Sequence, residues 1–455
     1  MYSNQFKRWG HATLAVTTLL VGIVTTQSAQ AVPSMARQTG YECAKCHTVF
    51  PELTPYGRQF KLGAFAESSL KWDQKPLTER IPVSAALVAS LTKTSDTTAG
   101  GTEREEFPKD GKLVAQTAAL YYGGKITDNS GALIQYNYEG IEKQWGLEMF
   151  DARYAGGLTL AGKELSWGVT LNNNPTVSDI YNSTSAWGFP HIGTAAEQMP
   201  AATLIDMTLA SKVGGIGVYG LWDNLIYVEL ANYRTAKRGG FRFLSLGQRW
   251  NTEELEGSEL DGNAPYWRLA LQQEMGPHSI AVGTYGMTGK LFQDANETAL
   301  GSNRFRDVAF DINYQYITGD HAASLRTNWI NEKQKLDGAF AQGAASNASG
   351  TLKTFRADVH YYFKRQWGGG LQFFKTTGSS DDLRYNTGDA LMGSTNGSPN
   401  TRGWITEVNY LPWQNVKLAL RHTLYQEFNG ASNDYTPGRN ASDNNTLFLM
   451  GWVLF

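Results

Sequence analysis

The chain has 455 residues, with 40 Lys and Arg against 42 Asp and Glu, 48 Gly, 14 Pro and 12% aromatics. Its pI is near 6.4 and its mean hydropathy is negative. Balanced charge argues against a nucleic-acid partner and against a solvating tail. Low hydropathy with many Tyr, Trp and Gly fits a polar-lined β-barrel of an outer membrane better than a multi-domain soluble enzyme, because alternating apolar and polar residues average out along each strand.

The first element is an export signal. Lys7 and Arg8 form a positive start, Ala12 to Val24 is mostly apolar, and Ala29-Gln30-Ala31 supplies a small-x-small cleavage site. The apolar run is short of the roughly 18 residues a spanning helix needs, and no later segment reaches that length without charge. Residues 1–31 are therefore expected to be removed, leaving a mature chain that begins at Val32 outside the cytoplasm.

Next comes Y-E-C-A-K-C-H-T at 41–48, which holds both cysteines of the protein. An exported protein could use them as a disulfide, and C-x-x-C could be a redox dithiol, but that motif expects a βαβ context, and the chain has none there. His47 directly after Cys46 completes C-x-x-C-H, the attachment pattern of c-type haem. Thiols at this spacing reach both vinyl groups of one porphyrin, and the adjacent imidazole can ligate the iron as proximal ligand. One covalently bound haem c is expected. Thr54-Pro55 reads as an N-cap with proline at the first helical position, Tyr56 and Phe60 recur at helical spacing, and Gly63 is a stop. Residues 32–80 form a monohaem cytochrome c segment too short to bury a core alone, so it is expected to lean on the rest of the chain. The sixth ligand is open. Met35 is the segment's methionine; His278 and His321 fall in short turns, His360 on a lumen face and His191 in a long loop. Each histidine reads first as an ordinary polar residue.

From Ile81 onward the period is two. Val308, Phe310, Ile312, Tyr314 and Tyr316 share one face, with Asp307, Asp311, Asn313 and Gln315 on the other. Phe355, Val359, Tyr361 and Phe363 likewise oppose Arg356, Asp358 and His360. This is the dyad of a strand with lipid on one side and a wet lumen on the other. Short breaks near Thr127, Gly162, Asp223, Gly276, Gly319, Arg365 and Gln414 alternate with longer polar loops near 95–111, 174–202, 235–264, 292–303, 337–350, 379–400 and 429–444; a tight break near Lys143 is the exception. Counting gives about sixteen strands, with both chain ends on the short-turn, periplasmic side and an aqueous lumen. Leu447, Leu449, Val453 and the terminal Phe455 share a face, as in the last strand of outer-membrane barrels. Residues 81–455 are thus expected to be a mainly β, transmembrane antiparallel barrel in contact with outer-membrane lipid.

The stretch A-R-Q-T-G-Y-E-C-A-K-C-H-T-V-F-P-E-L-T-P-Y-G-R-Q-F-K-L, residues 36–62, resembles the fused monohaem c-type cytochrome–porin family of outer-membrane iron oxidases from iron-oxidising bacteria. Over the barrel the resemblance is one of architecture and length only. It implies that Cys43 and Cys46 carry the haem and that His47 is its proximal ligand. It also implies oxidation of extracellular Fe(II), with electrons passed to a periplasmic c-type cytochrome or other carrier. An outward electron conduit and a solute porin with a haem-bearing plug are the alternatives. Carboxylates at Glu103, Glu105, Glu106 and Asp110, and at Glu253, Glu254, Glu256, Glu259 and Asp261, suit a divalent cation but read first as solvated loop charge.

Overall fold

The computed structural model describes residues 33–69, 72–76, 80–99, 102–103, 110–140, 143–175, 179–182, 200–235, 259–389 and 391–455. The expected signal peptide, His191, Glu105, Glu106, Glu253, Glu254 and Glu256 lie outside them, as does the side chain of Glu103.

Sixteen antiparallel strands close into one barrel. In chain order they are β1 Val83–Thr94, β2 Leu113–Thr127, β3 Ser130–Glu139, β4 Gln144–Leu160, β5 Lys163–Asn172, β6 Val213–Trp222, β7 Ile226–Thr235 and β8 Ala264–Met275. The second half is β9 His278–Phe292, β10 Ser302–Ile317, β11 His321–Lys335, β12 Ser349–Phe363, β13 Trp367–Gly378, β14 Thr401–Trp413, β15 Val416–Glu427 and β16 Thr446–Leu454. β1 pairs with β2 on one side and with β16 on the other, Ala86 opposite Leu454. Phe455 exchanges both backbone hydrogen bonds with Ala85, at 3.2 and 2.8 Å. The barrel sheet has no free edge, which is what a lipid environment requires of a sheet.

The expected alternation holds. On β10 Asp307, Asp311, Asn313 and Gln315 are buried toward the lumen, while Phe310 and Ile312 lie on the exposed exterior. The short-turn rim carries outward aromatics: Trp367 stacks on Tyr410 at 4.2 Å, and Trp413 and Phe455 are exposed beside them. An apolar band with aromatic girdles is the lipid-facing surface of such a barrel. Its tight turns use left-handed residues; Asp223 and Asn224 sit at φ 52° and 50°, matching the twist that two-residue hairpins need. No described helix is long and apolar enough to cross a membrane.

Among the described residues, two chain segments turn into the lumen. The loop between β5 and β6, expected as a long outer loop at 174–202, turns inward in its described parts. Asp179, Ile180, Tyr181, Leu204 and Ile205 are all buried. Lumen carboxylates hold it: Glu332 accepts from Leu204 N at 2.6 Å, Asp307 from Ile205 N at 2.8 Å, and Asp206 pairs with Arg356 at 2.7 Å. Inward backbone is tolerated because its N–H groups find these acceptors.

The second is the N-terminal segment, with helices α1 Pro33–Thr39, α2 Cys43–Cys46 and α3 Pro55–Leu62. It seats inside the short-turn end. Arg58 donates to lumen-facing Gln315 at 2.9 Å, and Gln315 donates in turn to Leu53 O at 2.9 Å. Tyr219 of β6 donates to Leu62 O at 2.9 Å. Lys61 reaches the inner loop, at 2.8 Å from Asp179 O and 3.1 Å from Asn182 Oδ1. The lumen, expected from strand number to be aqueous, is filled by protein at this level because the segment uses the barrel interior as the core it cannot build alone.

Candidate cofactor site

α2 is only four residues long and is fixed from outside itself. Gln414, in the β14–β15 turn, accepts from Cys43 N at 3.1 Å. Arg365, in the β12–β13 turn, donates to Ala44 O and, at 3.0 Å, to His47 O. From the segment side, Thr54 does three jobs. Its N–H donates to Cys46 O at 2.9 Å, its hydroxyl donates to Lys45 O at 2.7 Å, and that hydroxyl accepts from Gly57 N at 3.1 Å as the N-cap of α3. Gly63 ends α3, as the sequence indicates. Gly57 is required by contact rather than by backbone angle, since a Cβ there would fall on the Cys46 carbonyl oxygen.

Cys43, Cys46 and His47 line one cavity of about 1070 Å³, part of it open to solvent. Its walls are mainly apolar. Phe50, Phe60 and Phe65 come from the segment, Leu133 from β3, and Trp452 and Leu454 from β16. Phe50 meets Trp452 edge to face at 4.7 Å. α2 hangs from the β12–β15 turns, whereas Tyr121, Leu133, Met149 and Asp151 face the cavity from another arc, β2 to β4.

The donor set suits a c-type haem. Both cysteines are free thiols. Burial, with Glu67 and Cys43 adding to it, pushes Cys46 up to about 11, so it is held as S–H. Burial drives His47 down to about 4, against the opposing pull of the Pro51 and Glu52 backbone, so its ring is neutral, the form that can ligate iron. His47 Nδ1 is buried with no hydrogen-bond partner.

The expected sixth-ligand residues scatter. Met35 lines the cavity from α1. His278 and His321 are exposed on the exterior of the short-turn rim, bonded to Tyr314 Oη at 2.8 Å and Tyr361 Oη at 2.7 Å. His360 is buried in the lumen, 3.7 Å from both Glu52 and Asp358, and does not border the cavity. Met149, which no motif in the sequence singles out, does border it. In the loops, Asp110 is engaged by Thr94 N at 2.6 Å and Asp261 by Ser302 Oγ at 2.9 Å, and no group of three or more metal-ligating side chains forms among the described residues.

Fold and site together define a closed β-barrel of the outer-membrane kind with a C-x-x-C-H segment seated in its lumen. No family model matches the chain, and no curated protein matches it. Its fold is similar to OmpF of Salmonella typhi, solved in complex with daunomycin, at 12% identity and TM-score 0.46, covering 82% of this chain and 97% of that one. The outer membrane channel DcaP of Acinetobacter baumannii gives 10% identity and TM-score 0.44 over 82% of this chain and 96% of that one. OmpT of Vibrio cholerae, an outer membrane protein, gives 10% and 0.42 over 82% and 97%.

Proposed function

We propose that the protein is an outer-membrane cytochrome that takes electrons from extracellular Fe(II) and delivers them, through one covalently held haem c, to a periplasmic electron carrier. The observation that carries the reading is the convergence of Cys43, Cys46 and His47 on one apolar cavity inside a closed barrel. In this reading the short-turn rim and both chain ends face the periplasm. The Fe(II) donor is inferred from the resemblance of residues 36–62.

When bound, haem supplies a one-electron centre whose potential is set by axial ligands, burial and hydrogen bonds. The chain's residues do the rest. Cys43 and Cys46 would hold the haem through thioether bonds to its two vinyl groups, and neutral His47 would offer its imidazole nitrogen to the iron. Phe50, Leu133 and Trp452 would give a bound haem apolar walls, which would raise the cost of the more highly charged ferric state and favour acceptance of an electron. Each Fe(II) gives up one electron to become Fe(III), and that electron leaves to the oxidised carrier. A filled lumen favours electron transfer over solute passage.

The test is anaerobic addition of Fe(II) to purified, pre-oxidised protein made in a host that matures c-type cytochromes. A reduced c-type spectrum is expected, and Cys43→Ala with Cys46→Ala should abolish covalent haem staining. Intact haem that excess Fe(II) leaves oxidised would rule the reading out in favour of an outward conduit or a plugged porin.

A further inference from the structure

We propose that the barrel wall, through Met149 of β4, supplies the sixth ligand to the haem iron, so that a haem covalently bound to the segment is ligated by the barrel. This rests on the haem reading above and names a residue outside the segment.

The cavity wall narrows the choice. Besides His47, the lining residues with ligating atoms are two thioethers, Met35 and Met149, and the oxygen and nitrogen donors Tyr41, Glu42, Tyr121, Lys61 and Asp151. Tyr41 and Glu42 are exposed, Glu42 accepts from Gln414 Nε2 at 3.2 Å, and the phenol of buried Tyr121 is a poor iron ligand unless it ionises, which burial opposes. Lys61 is committed to Asp179 O and Asn182. Asp151 is locked in a buried ion pair with Arg153 at 2.8 Å. Two thioether sulfurs remain. Met35 is half-buried on the seven-residue helix α1, near the rim. Met149 is 4% exposed and stands on a strand fixed by hydrogen bonds on both sides.

Strand register adds a second, independent reason. Gln135 pairs with Met149 and Tyr136 with Leu147, so Glu148 is an extra residue, a β-bulge. Trp145 stacks on Tyr136 at 5.5 Å on the outward face, and Gln135 bonds Asn137 on the lumen face. Leu147, though buried, is the partner of outward-facing Tyr136, and without the bulge alternation from Trp145 would place position 149 on that same face. The bulge turns it to the cavity instead, and bulges commonly re-aim a side chain at a functional site. A neutral sulfur opposite histidine raises the reduction potential, in the direction an acceptor of electrons from Fe(II) needs.

The experiment uses the full chain with covalent haem stained in every variant, so that loss of haem and loss of a ligand are separate outcomes. The ferric wild type should show the weak far-red charge-transfer band of thioether-ligated haem. Met149→Leu should keep the stain, lose the band and lower the potential, while Met35→Leu should keep both band and potential. If Met149→Leu does not assemble, Met149→His replaces it, and a low-spin ferric spectrum without the band and at lower potential is then expected. A wild type without the band, or a band that survives at position 149 substitutions and vanishes in Met35→Leu, overturns the proposal. A wild type with no covalent haem overturns the haem reading itself.

Discussion

Gly57 shows how much of the site depends on one missing atom. Its Cα lies against the Cys46 carbonyl, and that carbonyl also accepts from Thr54 N, so it cannot move aside without loosening the start of α3. Gly57→Ala should therefore push α3 off α2 and open the cavity on the cysteine side, because a backbone atom cannot yield as a flexible side chain can. The expected result is a severalfold fall in haem stain per folded barrel, with heat-modifiable migration unchanged; equal staining would show that α3 does not define the cavity. The C-x-x-C-H triad was legible because it is contiguous. Met149 was not, because a one-residue bulge reverses face without leaving a mark in composition, and only the pairing partner Gln135 reveals it.

At the scale of elements, α3 is the key that locks the segment into the barrel. Arg58 on it is buried and bonds Gln315, itself tied to Leu53. Arg58→Ala would leave the buried Gln315 amide oxygen only the long 3.5 Å bond from Ser279 Oγ, a loss of about 1–3 kcal/mol. Local opening of the segment should rise on the order of ten- to hundredfold, read as faster limited proteolysis within residues 33–69 while the barrel stays resistant. Unchanged cleavage would mean that the segment is held elsewhere. The strands were readable from alternation and short turns, since each is a local pattern. The inward course of the β5–β6 loop was not, because Leu204 and Ile205 take their acceptors from Glu332 and Asp307, over a hundred residues away in sequence. The seat of α2 was hidden for the same reason, with Cys43 and Gln414 separated by 371 positions.

For the whole molecule, the N-terminal segment and the described parts of the inner loop sit inside the barrel beside one cavity. The segment joins the β6, β10 and β14–β15 regions, and the inner loop meets it through Lys61, so the wall, loop and segment form one packed body. A redox centre in that body would stand inside the barrel wall, between its two rims. The direct measurement is vectorial electron transfer in liposomes that carry an oxidised soluble c-type cytochrome inside. With the long loops facing outward, external Fe(II) should reduce the enclosed cytochrome, while His47→Ala protein, inserted equally well, should not. Reduction of the internal carrier by the His47→Ala barrel, or none by the haem-loaded wild type, would contradict the account.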